Sequence, residues 1–294
     1  MAAKSKETTE SDLTTTTAYS ATEEEAAKFD FDTYLLDLMW SEPFYAKILR
    51  GITKVRTDKI PTAGVGIKNG DITYYYNPRF FASLVKDEGA KKIRGLNIHE
   101  CLHLVWDHCV GRKHEPFTVW NYAADCAINS RVPRELLPNC GIIPGEAFTE
   151  LTPEQVEKMG PERVAKYQKM SDFVEALPGK KSAEWYFARF MENDDIREQL
   201  EESNGGMGQL DDHDGWADGD GEGQGLSEAE REMVKGKIKQ ALQDAVQESD
   251  SKNSWGSVGA ELRKELRAMV THEIPWQSIL KRFVGYSKRA HRST

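Results

Sequence analysis

The chain has 294 residues, 39 % of them hydrophobic, with 39 basic and 48 acidic side chains and a formal net charge of −9. That length is enough to build one large core. The negative charge argues against nucleic acid as a partner, because phosphate binding needs a basic surface. No run approaches a membrane span and the N-terminus lacks the apolar stretch of a signal peptide, so a cytoplasmic protein with no membrane partner is expected.

Residues 1–22, rich in Thr, Ser, Glu and Ala, read as a disordered tail. Helical spacing of Phe29, Tyr34, Leu35, Leu38 and Met39 predicts a helix from about Glu23 to Trp40, followed by a second from Pro43 to Gly51. Ala63 to Ile67, a turn carrying Asn69-Gly70, and Ile72 to Tyr76 predict a β-hairpin. The second of these strands, just ahead of the next helix, is a candidate for pairing with an extended peptide. A short helix around Arg79 to Val85 leads to Gly89.

The next helix is predicted over about Ala90 to Val110, with Gly111 as its stop and Gly95 as a weak point in its first turns. It carries His99-Glu100-Cys101-Leu102-His103, an H-E-x-x-H pattern. Four residues of helix bring the two imidazoles to one face, where they can share a metal ion, with Glu100 beside them as general base toward an activated water. Chance alone gives this pattern on the order of one time in a hundred in a chain of this composition.

Val119 to Ile128 predicts another helix, with Asn121, Asp125 and Asn129 on one face at four-residue steps. Residues 132–146, with three prolines and two glycines, read as a loop. Thr152-Pro153-Glu154-Gln155 is a capping box, Gly160-Pro161 separates two helices, and Ser182 caps a helix holding Trp185, Tyr186, Phe187 and Phe190. Residues 204–226 are glycine-rich and acidic; an EF-hand frame counted from Asp218 puts Ala229 at the twelfth place, so a flexible loop is expected. Ser227 opens a helix to about Glu248, another spans Val258 to Val270, and Pro275 starts a last one before a basic end. The four cysteines contain no C-x-x-C pair and are expected as buried thiols. The domain plan is thus a metal-binding domain over 23–203, the loop 204–226, and a helical part over 227–294 packed on that domain.

A catalytic zinc takes three protein ligands and keeps a position for water, so His99 and His103 need a third. Asp107 lies too far along the helix, about 12 Å from His99 by rise alone. His108, five residues beyond His103 with no glycine or proline between, faces away on an unbroken helix. His114, beyond Gly111, can fold back. Asp125 is the expected ligand, on a separate helix and with Asn121 and Asn129 to hold its carboxylate; His108 and His114 stay open as alternatives.

His-Glu-Cys-Leu-His-Leu-Val-Trp-Asp-His (99–108) followed by Trp120-Asn-Tyr-Ala-Ala-Asp-Cys-Ala-Ile-Asn129 resembles the zincin-type predicted metal-dependent peptidases whose domain often precedes a von Willebrand A-like domain. Pro43-Phe44-Tyr45, Tyr76-Asn77-Pro78, Ser182 to Tyr186, Asp211-Asp212-His213 and Pro275-Trp276 agree with it, so the similarity spans about Asp30 to Phe283. It is to the short, bacteriophage-type version: the Asp-x-Ser-x-Ser segment of the A-like domain does not occur in this sequence. The resemblance implies an α+β, helix-rich zincin-like fold and a peptide or protein substrate, and for relatives with the A-like domain an AAA-type ATPase partner. The expected activity is zinc-dependent peptide hydrolysis with one Zn²⁺ on His99, His103 and Asp125 and Glu100 as base. The alternative is a non-catalytic assembly or binding protein that keeps the ion as a staple. His213 and Tyr76 are the candidate donors for a developing oxyanion.

Overall fold

A computed structural model describes residues 19–68, 70–112, 114–202 and 227–271. Among these residues helices dominate, and one three-stranded sheet completes an α+β fold. The expected loop 204–226 and the predicted helix at Pro275 lie outside the described residues.

The chain enters at Tyr19, whose hydroxyl donates to the carbonyl of Pro61, and Ala21 is already buried against Ser83. Thr22 then caps α1 (Glu23–Lys28) with a full capping box. The single helix expected as far as Trp40 is two: Asp30 leaves the helical region, accepts a hydrogen bond from the Asp32 amide and starts α2 (Phe31–Ser41). An aspartate offering its own N-cap competes with helix continuation, and here it wins. Proline opens α3 (Pro43–Leu49).

The predicted hairpin is present as β2 (Ala63–Lys68) and β3 (Asp71–Tyr76), antiparallel with Lys68 opposite Asp71. Gly70 takes φ 73, the positive value that a two-residue hairpin turn demands at its second position. A strand without an alternating pattern long enough to announce itself, β1 (Thr53–Arg56), pairs in parallel with β3, so the sheet order is β1-β3-β2. This corrects the peptide-pairing expectation. With β1 on one side and β2 on the other, β3 has both hydrogen-bonding edges occupied and cannot accept a further strand.

Asn77 caps α4 (Pro78–Glu88), and α5 (Lys91–Val105) follows. Thirteen of the fifteen residues of α5 are buried. A helix buried all round lies in the middle of a domain, and α5 packs against α2, α3, α4, strand β2 and two later helices, over Phe117–Asn129 and Glu228–Lys252. Ile93, Leu96, Ile98 and Leu102 are fully enclosed, each a side chain whose burial is worth roughly 1.5–3 kcal/mol. Helix α6 (Phe117–Asn129) is likewise buried from Val119 to its end and packs on α8 (Ala183–Met191), which Ser182 caps as expected.

Between them α7 (Pro153–Glu175) opens with the expected capping box and breaks at Gly160, where the backbone turns to φ 75 and ψ 164. A further helix, α9 (Asp194–Glu202), has no counterpart among the expected elements; it buries Ile196 and Leu200 against the core through one narrow apolar stripe. Ser227 caps α10 (Glu228–Lys252), which lies along α3, and α11 (Ala260–Val270) returns beside it, with Trp255 stacked on Phe44 at 5.2 Å. No described helix is long and apolar enough to cross a membrane.

Candidate metal centre

Helices α5 and α6 meet at three side chains. Nε2 of His99 lies 2.9 Å from Nε2 of His103, and Asp125 Oδ1 lies 3.6 Å from the first and 3.3 Å from the second. All three residues are fully buried. Ligands held about 2.0–2.1 Å from a tetrahedral ion stand about 3.3 Å from one another, so these separations match a shared cation. Glu100, the residue after His99, is also buried, at 0 % exposure.

The protonation pattern favours the same conclusion. Nδ1 of His99 is 2.8 Å from Asn129 Oδ1, and Asn129 Nδ2 donates to the carbonyl of Ile142 at 2.9 Å. The second bond fixes the amide orientation, so its oxygen accepts from His99 and the Nε2 of that ring carries a lone pair. The Asp125 carboxylate, fully buried, faces both rings. Buried charge of this kind calls for a compensating cation. Among the described residues, His99, His103 and Asp125 are the group whose ligand atoms all converge, within 4.8 Å of one another.

Asn129 was expected to steady Asp125; it holds His99 instead, because the 132–146 segment supplies the carbonyl of Ile142 on the far side of its amide. Its outer surroundings form a cavity of about 310 Å³ lined by Ser130, Arg134, Ile143, Glu146 and Lys180.

His108 requires a larger correction. The predicted helix to Val110 ends at Val105, and Asp107 adopts φ 58. The Asp107 amide donates to Leu104 O at 3.1 Å and the His108 amide to His103 O at 3.0 Å, the paired bonds of a Schellman turn. Aspartate tolerates the left-handed position that glycine usually fills, and Asp107 Oδ1 adds a bond from the Gly111 amide at 3.0 Å. His108 therefore folds back beneath the helix, buried, with Nδ1 3.2 Å from Nδ1 of His103. It meets the edge of His103 opposite to the one that faces His99 and Asp125. His114 is exposed, its ring tilted against those of Trp120 and Phe187 at 4.7 and 5.2 Å.

The other candidates fall elsewhere. Tyr76 packs among Phe29, Phe31 and Phe81, its hydroxyl raised in pKa by burial, and His213 lies outside the described residues. Cys101, Cys109 and Cys126 are buried as expected, whereas Cys140 is exposed. Burial, reinforced by the neighbouring carboxylates of Glu100 and Asp125, pushes the thiols of Cys101 and Cys126 upward, so both stay protonated.

A buried cluster of two histidines and one carboxylate across two packed helices is a set that could hold a metal ion. The family model described as "Putative metallopeptidase domain" matches residues 31–293, and the chain belongs to that family. It is also similar to an "Uncharacterized protein" of Thermotoga maritima, 23 % identical over 274 residues, which cover 88 % of this chain and 59 % of the relative. The chain thus spans about three-fifths of that relative's length. No solved structure matches the chain.

Proposed function

We propose that the chain is a peptidase that holds one zinc ion on His99, His103 and Asp125 and uses Glu100 as general base. The observation that carries this reading is the convergence of the three ligand atoms at separations of 2.9, 3.3 and 3.6 Å. Two imidazoles and one carboxylate suit zinc among the divalent ions. Zinc bound by such a set acidifies a water and polarises a substrate carbonyl.

The protein's own residues divide the remaining work. His99 presents an unprotonated Nε2 because Asn129 holds its Nδ1 proton. Asp125 supplies the negative charge of the ligand set, its Oδ1 committed toward both Nε2 atoms. Glu100, next to His99 in the H-E-x-x-H pattern and buried, would take a proton from the attacking water and return it to the departing amine. The closely packed walls from α5 and α6 exclude bulk water, which strengthens each of these charge interactions. A peptide or protein substrate is the reading that family membership supports.

Complete burial of all four side chains also favours a second reading, an ion kept as a structural staple. Incubation of the zinc-loaded full chain and of Glu100→Gln with casein and a mixed peptide library separates the two. Cleavage by the wild type, reduced about 10²–10⁴-fold in the variant at equal zinc content, is the expected result. Identical behaviour of the two proteins on every substrate removes the peptidase reading and leaves the staple.

A further inference from the structure

His108 is tied to His103 twice. Its amide donates to the His103 carbonyl at 3.0 Å, and its Nδ1 stands 3.2 Å from the Nδ1 of the same residue. Both ring nitrogens at that contact cannot be donors in neutral imidazoles, nor can both be acceptors. The Nε2 side of His103 decides between the two arrangements. There the His99 lone pair lies 2.9 Å away and Asp125 Oδ1 3.3 Å away, so a cation shared by all three needs a lone pair on His103 as well. The His103 proton then sits on Nδ1 and points at His108.

We infer that His108 is a positioning residue of the metal centre, a neutral imidazole whose Nδ1 accepts the Nδ1 proton of His103 and so fixes that ligand's tautomer and rotation. The inference rests on the reading of His99, His103 and Asp125 as a metal centre. The surroundings are built for such a role. Trp120 meets the His108 ring nearly edge-on at 5.7 Å and Trp106 lies at 5.9 Å, while Arg131 covers the Trp106 ring at 5.0 Å. His108 is 1 % exposed, so its ring has no room to swing into solvent. The acceptors of the two ligand histidines are thereby alike in one respect: an amide oxygen for His99 and an imidazole nitrogen for His103, both uncharged. A carboxylate in either place would add negative charge to the ligand set; two neutral acceptors leave one carboxylate among the ligands and keep the ion more electrophilic.

Two measurements on the full chain test this. The first is zinc affinity by competition with a chromophoric chelator for wild type, His108→Phe and His108→Asn. Phenylalanine keeps the ring volume without an acceptor, whereas asparagine can place an amide oxygen where Nδ1 stood. Affinity is expected to fall about 10–100-fold in His108→Phe and to be largely recovered in His108→Asn. A His108→Phe protein that binds within about threefold of wild type overturns the inference.

The second measurement needs no substitution to fold. Long-range ¹⁵N–¹H correlation spectra of the zinc-loaded wild type report which nitrogen of each histidine bears a proton. The expected pattern is a protonated Nδ1 and zinc-bound Nε2 on His103, with His108 protonated at Nε2 only. A zinc-bound nitrogen on His108, or a proton on its Nδ1, overturns the assignment while leaving the metal centre standing. Failure of the wild type to bind zinc at all overturns the metal centre itself, and the role of His108 with it.

Discussion

The carbonyl oxygen of Leu136 lies 2.0 Å from the point where a β-carbon on Gly95 would stand. Helix α5 and the 132–146 segment thus touch backbone to backbone, with Lys92 Nζ donating to Leu137 O at 2.5 Å beside the contact. The same segment supplies Ile142 O to Asn129, and through Asn129 it reaches His99. Gly95, a weak point by helix propensity, is what allows this approach. Gly95→Ala should therefore destabilise by about 1–3 kcal/mol, although alanine is the better helix former. Urea unfolding checks this; an unchanged or raised midpoint contradicts the close contact.

Asn129 should matter to the ion although it does not face it. Asn129→Leu removes the acceptor of the His99 Nδ1 proton and leaves the Ile142 carbonyl without its donor. Zinc affinity is expected to drop about 10–100-fold, with a stability loss of about 1–3 kcal/mol. Chelator competition and urea unfolding read the two effects separately. Unaltered affinity would show that the tautomer of His99 is set by something else.

Metal removal should be visible as lost stability. At free zinc about 100 times the dissociation constant, binding to the folded state alone adds about 2.7 kcal/mol. For a chain of this size that is a rise in Tm of roughly 2–4 °C per kcal/mol. The wild type should show the rise on zinc addition and lose it with EDTA, whereas Asp125→Ala should show little of either. An equal zinc-dependent shift in both proteins removes Asp125 from the ligand set.

Acid should loosen the seam between α3 and α10. Glu248 pairs with Lys252 at 2.7 Å and with Lys47 at 2.7 Å, which holds its carboxyl down to about 2 from an ordinary 4.5. A carboxyl lowered by folding adds stability above its unfolded value and loses it as pH falls through the folded one. The contribution of Glu248 is thus present above about pH 4.5 and fades toward pH 2. Because the group is exposed, the effect should be small and salt-sensitive. Glu248→Gln should flatten the pH dependence of the urea midpoint in that window at low salt; equal slopes in variant and wild type exclude the ion pairs as its cause.

Much of the architecture is written in local patterns. The capping boxes at Thr152 and Ser227, the cap at Ser182, the Asn-Gly turn of the hairpin and the helical break at Gly160-Pro161 each depend on residues within about four positions, and each appears where the pattern put it. The end of α5 differs from its pattern for the opposite reason. Asp107 is one of the few non-glycine residues that accepts a left-handed backbone, and whether it does so depends on the burial of His108 against Trp120 of another helix rather than on a local pattern.

The sequence by itself determined what one helix turn carries, His99 and His103 on a common face of α5 with Glu100 next to them in the chain, and offered Asp125 on a second apolar helix as one of three candidates to meet them. Only the tertiary structure decided what surrounds them. The His99 to Asn129 bond joins residues 30 apart, the Gly95 contact reaches Leu136, and the parallel pairing of β1 leaves β3 without an edge. Periodicity of 3.6 or 2 states which face a side chain occupies, since that follows from backbone geometry alone. Which partner waits on that face depends on how separate elements pack, and no local pattern carries that information.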